Sequence, residues 1–133
     1  MKWLLTLTEA GMLAYWLLAA LMSFGFISIP PEYMYSDHQN PLVVAWNWSF
    51  FPLDFLFAVT GLVARFGNMT PDRADLLSVV SLSLMFCAGL MAISFWTFQG
   101  AFDAFWWGIN LWLIGLAVAA FYLQFWCGKR APS

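Results

Sequence analysis

The chain has 133 residues, of which 63% are hydrophobic and 9% are charged, and its formal net charge is -2. A soluble domain of this size carries about 25% charged residues, so this composition is typical of an integral membrane protein. So short and apolar a chain excludes a separate soluble catalytic or nucleic-acid-binding module, and we predict no nucleic-acid partner.

Four apolar runs, taken in chain order, predict an all-α fold, a four-helix transmembrane bundle. They cover about residues 3–29, 42–66, 75–98 and 103–127. Each run meets the roughly 20 residues that are needed to cross about 30 Å of hydrocarbon. Residues 1–133 are therefore predicted to form a single membrane domain with short loops, and the lipid bilayer is its main predicted partner.

The first run begins after Lys2 and holds an acid, Glu9, among apolar residues. Its length and this acid argue against a cleaved signal peptide, whose apolar region spans about 7 to 15 residues. Glu9 lies at a depth comparable with that of Arg65 at the end of the second run, so the two are predicted to form a structural ion pair. The alternative is a proton-transfer station shared with Asp54, and the sequence offers no polar group to bridge those two acids.

Capping residues place the boundaries between the runs independently of hydropathy. Pro30 follows the first run, Asn40-Pro41 is typical of an N-cap and first helical residue, and Thr70-Pro71 repeats that pattern for the third run. Gly100 separates the third and fourth runs. Asp103 comes next, and it is either the N-cap of the fourth helix or part of a functional site.

All five basic residues fall on one side of the predicted bundle. They are Lys2, Arg65, Arg73, Lys129 and Arg130. Loops rich in lysine and arginine are retained on the cytoplasmic side of a membrane. Both termini and the loop between the second and third runs are therefore predicted to be cytoplasmic.

The second run contains Asp54 near the middle of its span. An acid at the centre of a membrane helix costs about 2.5 to 3.5 kcal/mol on insertion scales, so such acids usually face a cavity or a partner. Pro52 removes one helical hydrogen bond and frees the carbonyl of Trp48, which favours a polar site beside the acid. Asp54 is either the centre of a functional pocket or a helix-to-helix contact with Asn110.

Polar residues are paired seven positions apart on the second and fourth helices. Because seven positions are two helical turns, Asn47 shares a face with Asp54, and Asp103 shares a face with Asn110. At complementary depths, the two pairs form a polar track from the outer surface to the midplane. The sequence therefore predicts an outward-facing polar pocket around Asp54 that binds a small hydrophobic or cationic ligand, either lipid-like or an amine.

Most of the tryptophans lie near the ends of the predicted spans, as in the aromatic belts of membrane proteins. Trp16 and Trp112 lie deeper, and they either line a ligand pocket or fill the bundle. We include Trp112 with the four polar residues as a predicted ligand-binding residue.

No arrangement of residues predicts a catalytic group, a metal site or a cofactor. His38 is the single histidine, and neither Cys87 nor Cys127 has another ligand at metal-binding spacing. No nucleophile with its base and no phosphate-binding loop is recognisable, which disfavours an enzyme. Two alternatives to a ligand pocket stay open: an accessory or assembly subunit of a larger membrane complex, and a proton-coupled small-molecule transporter acting as a homo-oligomer.

Several motifs resemble those of a known family. They are residues 40–50, Pro52-Leu53-Asp54 and Thr60-Gly61-Leu62, and in the second half Phe95-Trp96, Gly100, Phe102-Asp103, Trp106-Trp107 and Asn110. On these motifs, nearly the whole chain resembles the YvaD-like family of small four-span bacterial membrane proteins. The resemblance implies a multi-pass fold in the bacterial inner membrane, and it implies no activity.

Overall fold

Four long helices make up most of the computed structural model, which describes residues 1–30, 37 and 39–127. The helices are α1 (Lys2–Ser23), α2 (Pro41–Phe66), α3 (Pro71–Gln99) and α4 (Ala104–Phe121), and α4 continues as a π-helical segment, Tyr122–Cys127. All four are long and apolar enough to cross a membrane. The all-α, four-helix fold and the multi-pass membrane class predicted from the sequence are thus confirmed.

The predicted sidedness rests partly on residues outside the described part of the chain. These are Lys129 and Arg130, which follow residue 127. His38, which has no part in the sidedness prediction, also lies outside the described residues. The cytoplasmic location of both termini therefore stays a prediction.

Neighbouring helices run antiparallel, and side-chain contacts fix their register. Trp16 of α1 donates a hydrogen bond to Asp54 of α2 at 2.9 Å, and Ser81 of α3 donates to the carbonyl of Phe57 of α2 at 2.8 Å. α2 thus packs between α1 and α3, and α3 packs in turn against α4. Within the described residues, α1 and α4 do not pack closely along their lengths.

α1 ends at Ser23 rather than near residue 29, where hydropathy places the end of the first span. Gly25 has a φ of +76°, the left-handed conformation that favours glycine, and its N–H donates to the carbonyl of Met22. The N–H of Phe26 donates to the carbonyl of Leu21 at 2.9 Å, which completes a Schellman cap. The predicted boundary is wrong because apolar residues follow this cap, and hydropathy alone continues the span through it.

The starts of α2 and α4 follow the predicted capping residues. The side-chain oxygen of Asn40 accepts from the N–H of Leu42 at 3.1 Å, and Pro41 is the first residue of α2. Asp103 caps α4 in the same way, by accepting from the N–H of Trp106 at 2.8 Å. These two caps lie at the same end of the bundle, which we call the capped end. The other end, where α1 and α3 begin, is called the basic end.

The core lies where α3 packs against its two neighbours. Phe57, Ala58 and Met85 have no exposed surface there. Gly89 lets α3 approach α4 closely, because a Cβ at this position would lie only 2.7 Å from the carbonyl oxygen of Asn110. This backbone contact sets the distance between the two helices at the level of Asn110.

Candidate functional site

A cavity of about 370 Å³ lies between α1 and α4 and is backed by α2 and α3. Its walls are mostly apolar and aromatic. Thr8, Asn47, Asp54 and Asn110 contribute side-chain hydroxyl, amide and carboxylate groups to this lining. The cavity is thus an apolar chamber with a few polar groups, and less polar than the pocket that the sequence predicts.

Among the described residues, Asp54 is the one acid in the lining of this cavity. The residue is 6% exposed, and its Oδ2 accepts a hydrogen bond from Nε1 of Trp16 at 2.9 Å. Within the described part of the chain, Oδ1 accepts no hydrogen bond. Asp54 lies about 20 Å along α2 from Pro41, at 1.5 Å per residue, which is near the middle of the helix. One carboxylate oxygen is therefore anchored, and the other keeps its capacity to accept a hydrogen bond.

Trp16 is the partner of Asp54 that sequence reasoning missed. Its indole is packed against Trp48 and Phe51, with ring centroids 5.4 Å away in both cases, and Tyr15 meets it edge-on at 5.2 Å. These contacts hold the indole N–H towards the carboxylate. The depth of Trp16 in the first span was the available signal, but its pairing with Asp54 depends on the register between α1 and α2.

Asn47 and Asn110 reach the same cavity from α2 and α4. Both are buried, with 5% and 6% of their surface exposed. Asn110 does not bond to Asp54; its Nδ2 donates instead to the carbonyl of Trp106 in its own helix at 2.8 Å. No described residue makes a hydrogen bond to the Asn47 side chain. The two amides thus keep hydrogen-bonding capacity around the same chamber as the acid.

Trp112 also lines the cavity, from a position on α4 where it is half exposed. Its Nε1 donates to Oγ1 of Thr8 on α1 at 3.0 Å. Asp103, in contrast, is absent from the lining, and its carboxylate is used by the cap of α4. The structure therefore brings together four of the five predicted ligand-binding residues and leaves Asp103 outside.

The capping role of Asp103 predicts different effects for two substitutions. Asp103→Ala removes the acceptor for the N–H of Trp106, and we expect it to lower the free energy of unfolding by about 1 kcal/mol. Asp103→Asn keeps an equally good capping oxygen and should leave that free energy nearly unchanged. Unfolding by sodium dodecyl sulfate, followed by tryptophan fluorescence, measures both. Equal losses in the two variants would contradict the cap.

Glu9 and Arg65 form a buried ion pair between α1 and α2. The Glu9 side chain has no exposed surface, and that of Arg65 is 14% exposed. Nε of Arg65 also donates to Oγ1 of Thr6 at 3.2 Å, which fixes the guanidinium against α1. Gly61 leaves the space that the carboxylate occupies, since a Cβ there would overlap Glu9. Glu9 is not part of the cavity lining, so the pair belongs to the helix contact.

Comparison with known proteins confirms the resemblance seen in the sequence. A family described as "Family of unknown function (DUF5360)" matches residues 1–130. The protein named "Uncharacterized protein YvaD" from Bacillus subtilis (strain 168) is 44% identical over 116 residues, which are 86% of this chain and 83% of that protein. No solved structure matches the chain. The family match spans all four helices and every residue that lines the cavity.

Proposed function

The chain belongs to the family of unknown function DUF5360, and for this member we propose that the cavity around Asp54 binds a small hydrophobic ligand with a cationic or hydrogen-bond-donating group. The observation that supports this proposal most directly is the carboxylate of Asp54. Its Oδ2 is held by Trp16, and Oδ1 has no hydrogen-bond donor among the described residues. A donor on a ligand would complete the hydrogen bonding of this buried acid.

The size and walls of the cavity also support a small ligand. Small-molecule sites usually have volumes of about 300 to 1,000 Å³, with mostly apolar walls and a few polar groups that fix orientation. The volume here is about 370 Å³, near the lower limit of that range. The apolar part of the ligand would contact the aromatic walls, while Asn47 and Asn110 would orient its polar part.

The charge of the lining favours a cation among such ligands. Asp54 is acidic, and none of the described residues that line the cavity is basic. Arg65 is bound to Glu9 and is not among the lining residues. A ligand cation would therefore have the carboxylate as its charge partner, and Trp16 and Trp46 would offer it aromatic faces.

Two probes of nearly the same shape test this charge preference. Benzyltrimethylammonium is cationic, and neopentylbenzene is its neutral carbon analogue. We expect the protein in lipid nanodiscs to bind the cation at least about tenfold more tightly, because two opposite unit charges about 4 Å apart attract by roughly 1 kcal/mol in water and roughly 4 kcal/mol at an effective dielectric constant of about 20. Asp54→Asn should bring the two affinities close together. Tryptophan fluorescence titration measures both affinities, with Trp16 and Trp112 in the site as reporters.

Asp75→Asn is the matched control for this experiment. Asp75 is an exposed acid on α3, outside the cavity lining, and its Oδ1 accepts from Gln124 at 3.2 Å. Asparagine keeps that acceptor, so the variant removes one negative charge and no contact. The preference for the cation should persist in Asp75→Asn. A preference that survives equally in Asp54→Asn, or the absence of binding by the wild-type protein, would contradict the proposed function.

The accessory-subunit and proton-coupled transporter roles stay predictions, as does a homo-oligomer. A transporter would need a path from Asp54 towards the basic end of the bundle. Phe57 lies one turn nearer that end on α2 and has no exposed surface, and neither Phe57 nor Glu9 lines the cavity. In this conformation, the chamber does not extend to the ion pair.

A further inference from the structure

The cavity has exposed lining residues on both sides of the gap between α1 and α4. Leu7 and Gly11 are exposed on α1, and Phe105 and Trp112 are exposed on α4, yet all four also line the chamber. The other two helices contribute buried or half-buried residues, of which Asp54 is an example. The mouth of the cavity is therefore this gap, where the two helices do not pack closely.

The deepest part of this mouth lies at the level of the hydrocarbon layer. At 1.5 Å per residue, Gly11 is about 14 Å from the start of α1 at Lys2, and Trp112 is about 12 Å from the start of α4 at Ala104. A bilayer has a hydrocarbon core about 30 Å thick, so a residue more than about 10 Å inside a spanning helix faces lipid chains rather than water. The mouth is thus directed sideways into the membrane.

A hydrogen bond between two side chains crosses the mouth. Nε1 of Trp112 donates to Oγ1 of Thr8 at 3.0 Å, and this bond joins α1 to α4. Gly11 lies about one turn from Thr8 and has open space where a Cβ would be. Among the described residues, the bond from Trp112 to Thr8 is the one side-chain hydrogen bond across the gap, and it lies beside an unfilled position. Opening the gap requires no break in the close packing of α2 with α3.

We infer that the ligand is a membrane-dissolved amphiphilic amine, which reaches Asp54 from the bilayer through the gap between α1 and α4. This inference rests on the proposed function. The amine lies inside at the carboxylate, and the apolar tail lies in the gap and continues among the lipid chains. The Thr8–Trp112 hydrogen bond closes the gap around it, so its opening governs the rate of ligand exchange.

Two probes that share a head group show whether the ligand enters from the bilayer or from water. Benzyldimethylhexylammonium and benzyldimethyldecylammonium differ only in tail length, so at equal free aqueous concentration the decyl compound is far more concentrated in the bilayer. Stopped-flow tryptophan fluorescence of the full chain in nanodiscs measures the association rates. We expect the rate to rise in proportion to the bilayer concentration, hence by roughly 200-fold, since each of the four additional CH₂ groups contributes about 0.8 kcal/mol to partitioning. Equal rates at equal aqueous concentration would overturn the lateral route.

Variants at the mouth give an independent test. Thr8→Val removes the acceptor for Trp112 and keeps the shape, and we expect association and dissociation of the decyl probe to be about three- to tenfold faster. Gly11→Phe fills the gap and should slow both rates at least about tenfold, since each 1.4 kcal/mol added to a barrier is a factor of ten. Gly108→Phe is the control, because Gly108 is an exposed α4 residue with open space at its Cβ, outside the lining.

The outcomes distinguish the lateral route from the proposed function. If the wild-type protein binds neither probe at equilibrium, the proposed function fails, and the lateral route fails with it. If the wild-type protein binds them and Asp54→Asn weakens that binding, but Thr8→Val leaves the rates unchanged, only the lateral route fails. Slowing of equal size in Gly11→Phe and Gly108→Phe also contradicts access through the gap.

Discussion

Replacing Arg65 by glutamine is expected to lower the free energy of unfolding by about 3 kcal/mol, because removing one partner of a buried ion pair typically costs 3 to 5 kcal/mol. Glu9 has no exposed surface, so without Arg65 its carboxylate stays buried with no charge partner among the described residues. The Arg65 side chain is 14% exposed, so this ion pair is not completely buried. The expected loss is therefore at the lower limit of the 3 to 5 kcal/mol range. Unfolding by sodium dodecyl sulfate, followed by tryptophan fluorescence, measures it.

The double variant Glu9→Gln with Arg65→Gln separates this pair from other effects. It leaves no unpaired charge, so its loss should be smaller than the sum of the two single losses. Arg73→Gln is the matched control, since Arg73 is an exposed arginine in the first turn of α3, and surface substitutions usually stay within about 0.5 kcal/mol. Additive losses in the double variant would show that Glu9 and Arg65 stabilise the protein independently.

The helix boundaries that were predictable from the sequence are those with a local chemical signal. Asn40 and Asp103 accept hydrogen bonds from backbone N–H groups two and three residues later, and such signals need no tertiary contact. α3 begins at Pro71, as the Thr70-Pro71 pattern predicts, although Thr70 makes no side-chain cap hydrogen bond. The apolar run starts only near residue 75, because the first turn of this helix is polar and hydropathy omits it. α1 ends early because of Gly25, whose cap is also local but is followed by apolar residues.

Helical periodicity predicted part of the site and failed at one position for a clear reason. Asn47 and Asp54 share a face because both lie inside α2, and both line the cavity. Asp103 and Asn110 have the same spacing, but Asp103 has an extended backbone with φ of -128°, outside α4. The rule of two helical turns therefore does not apply to it. Its side chain bonds to the start of the helix instead of following the helical face.

Contacts between helices could not be obtained from the sequence in the same way. The bond from Trp16 to Asp54 depends on how far α1 slides along α2, and no local pattern records that distance. The ion pair of Glu9 with Arg65 sets the same register nearer the basic end, about two turns from Trp16 on α1 and about three turns from Asp54 on α2. The Glu9–Arg65 ion pair thus also aligns the indole of Trp16 with Asp54.

The contact of α3 with α4 has the corresponding role on the other side of the cavity, and two glycine substitutions with opposite expected signs test it. Gly89→Ala places a Cβ 2.7 Å from the carbonyl oxygen of Asn110, which is backbone and cannot rotate away, so α4 must move. We expect a loss of about 1 to 3 kcal/mol in the free energy of unfolding. Benzyltrimethylammonium should also bind more weakly, because Asn110 leaves its place in the lining.

Gly115→Ala, on α4 with open space at its Cβ, should instead stabilise the helix by about 0.5 to 1 kcal/mol. Unfolding and titration of the two variants side by side would contradict this positioning role if both changed stability in the same direction or if Gly89→Ala bound the probe like the wild-type protein.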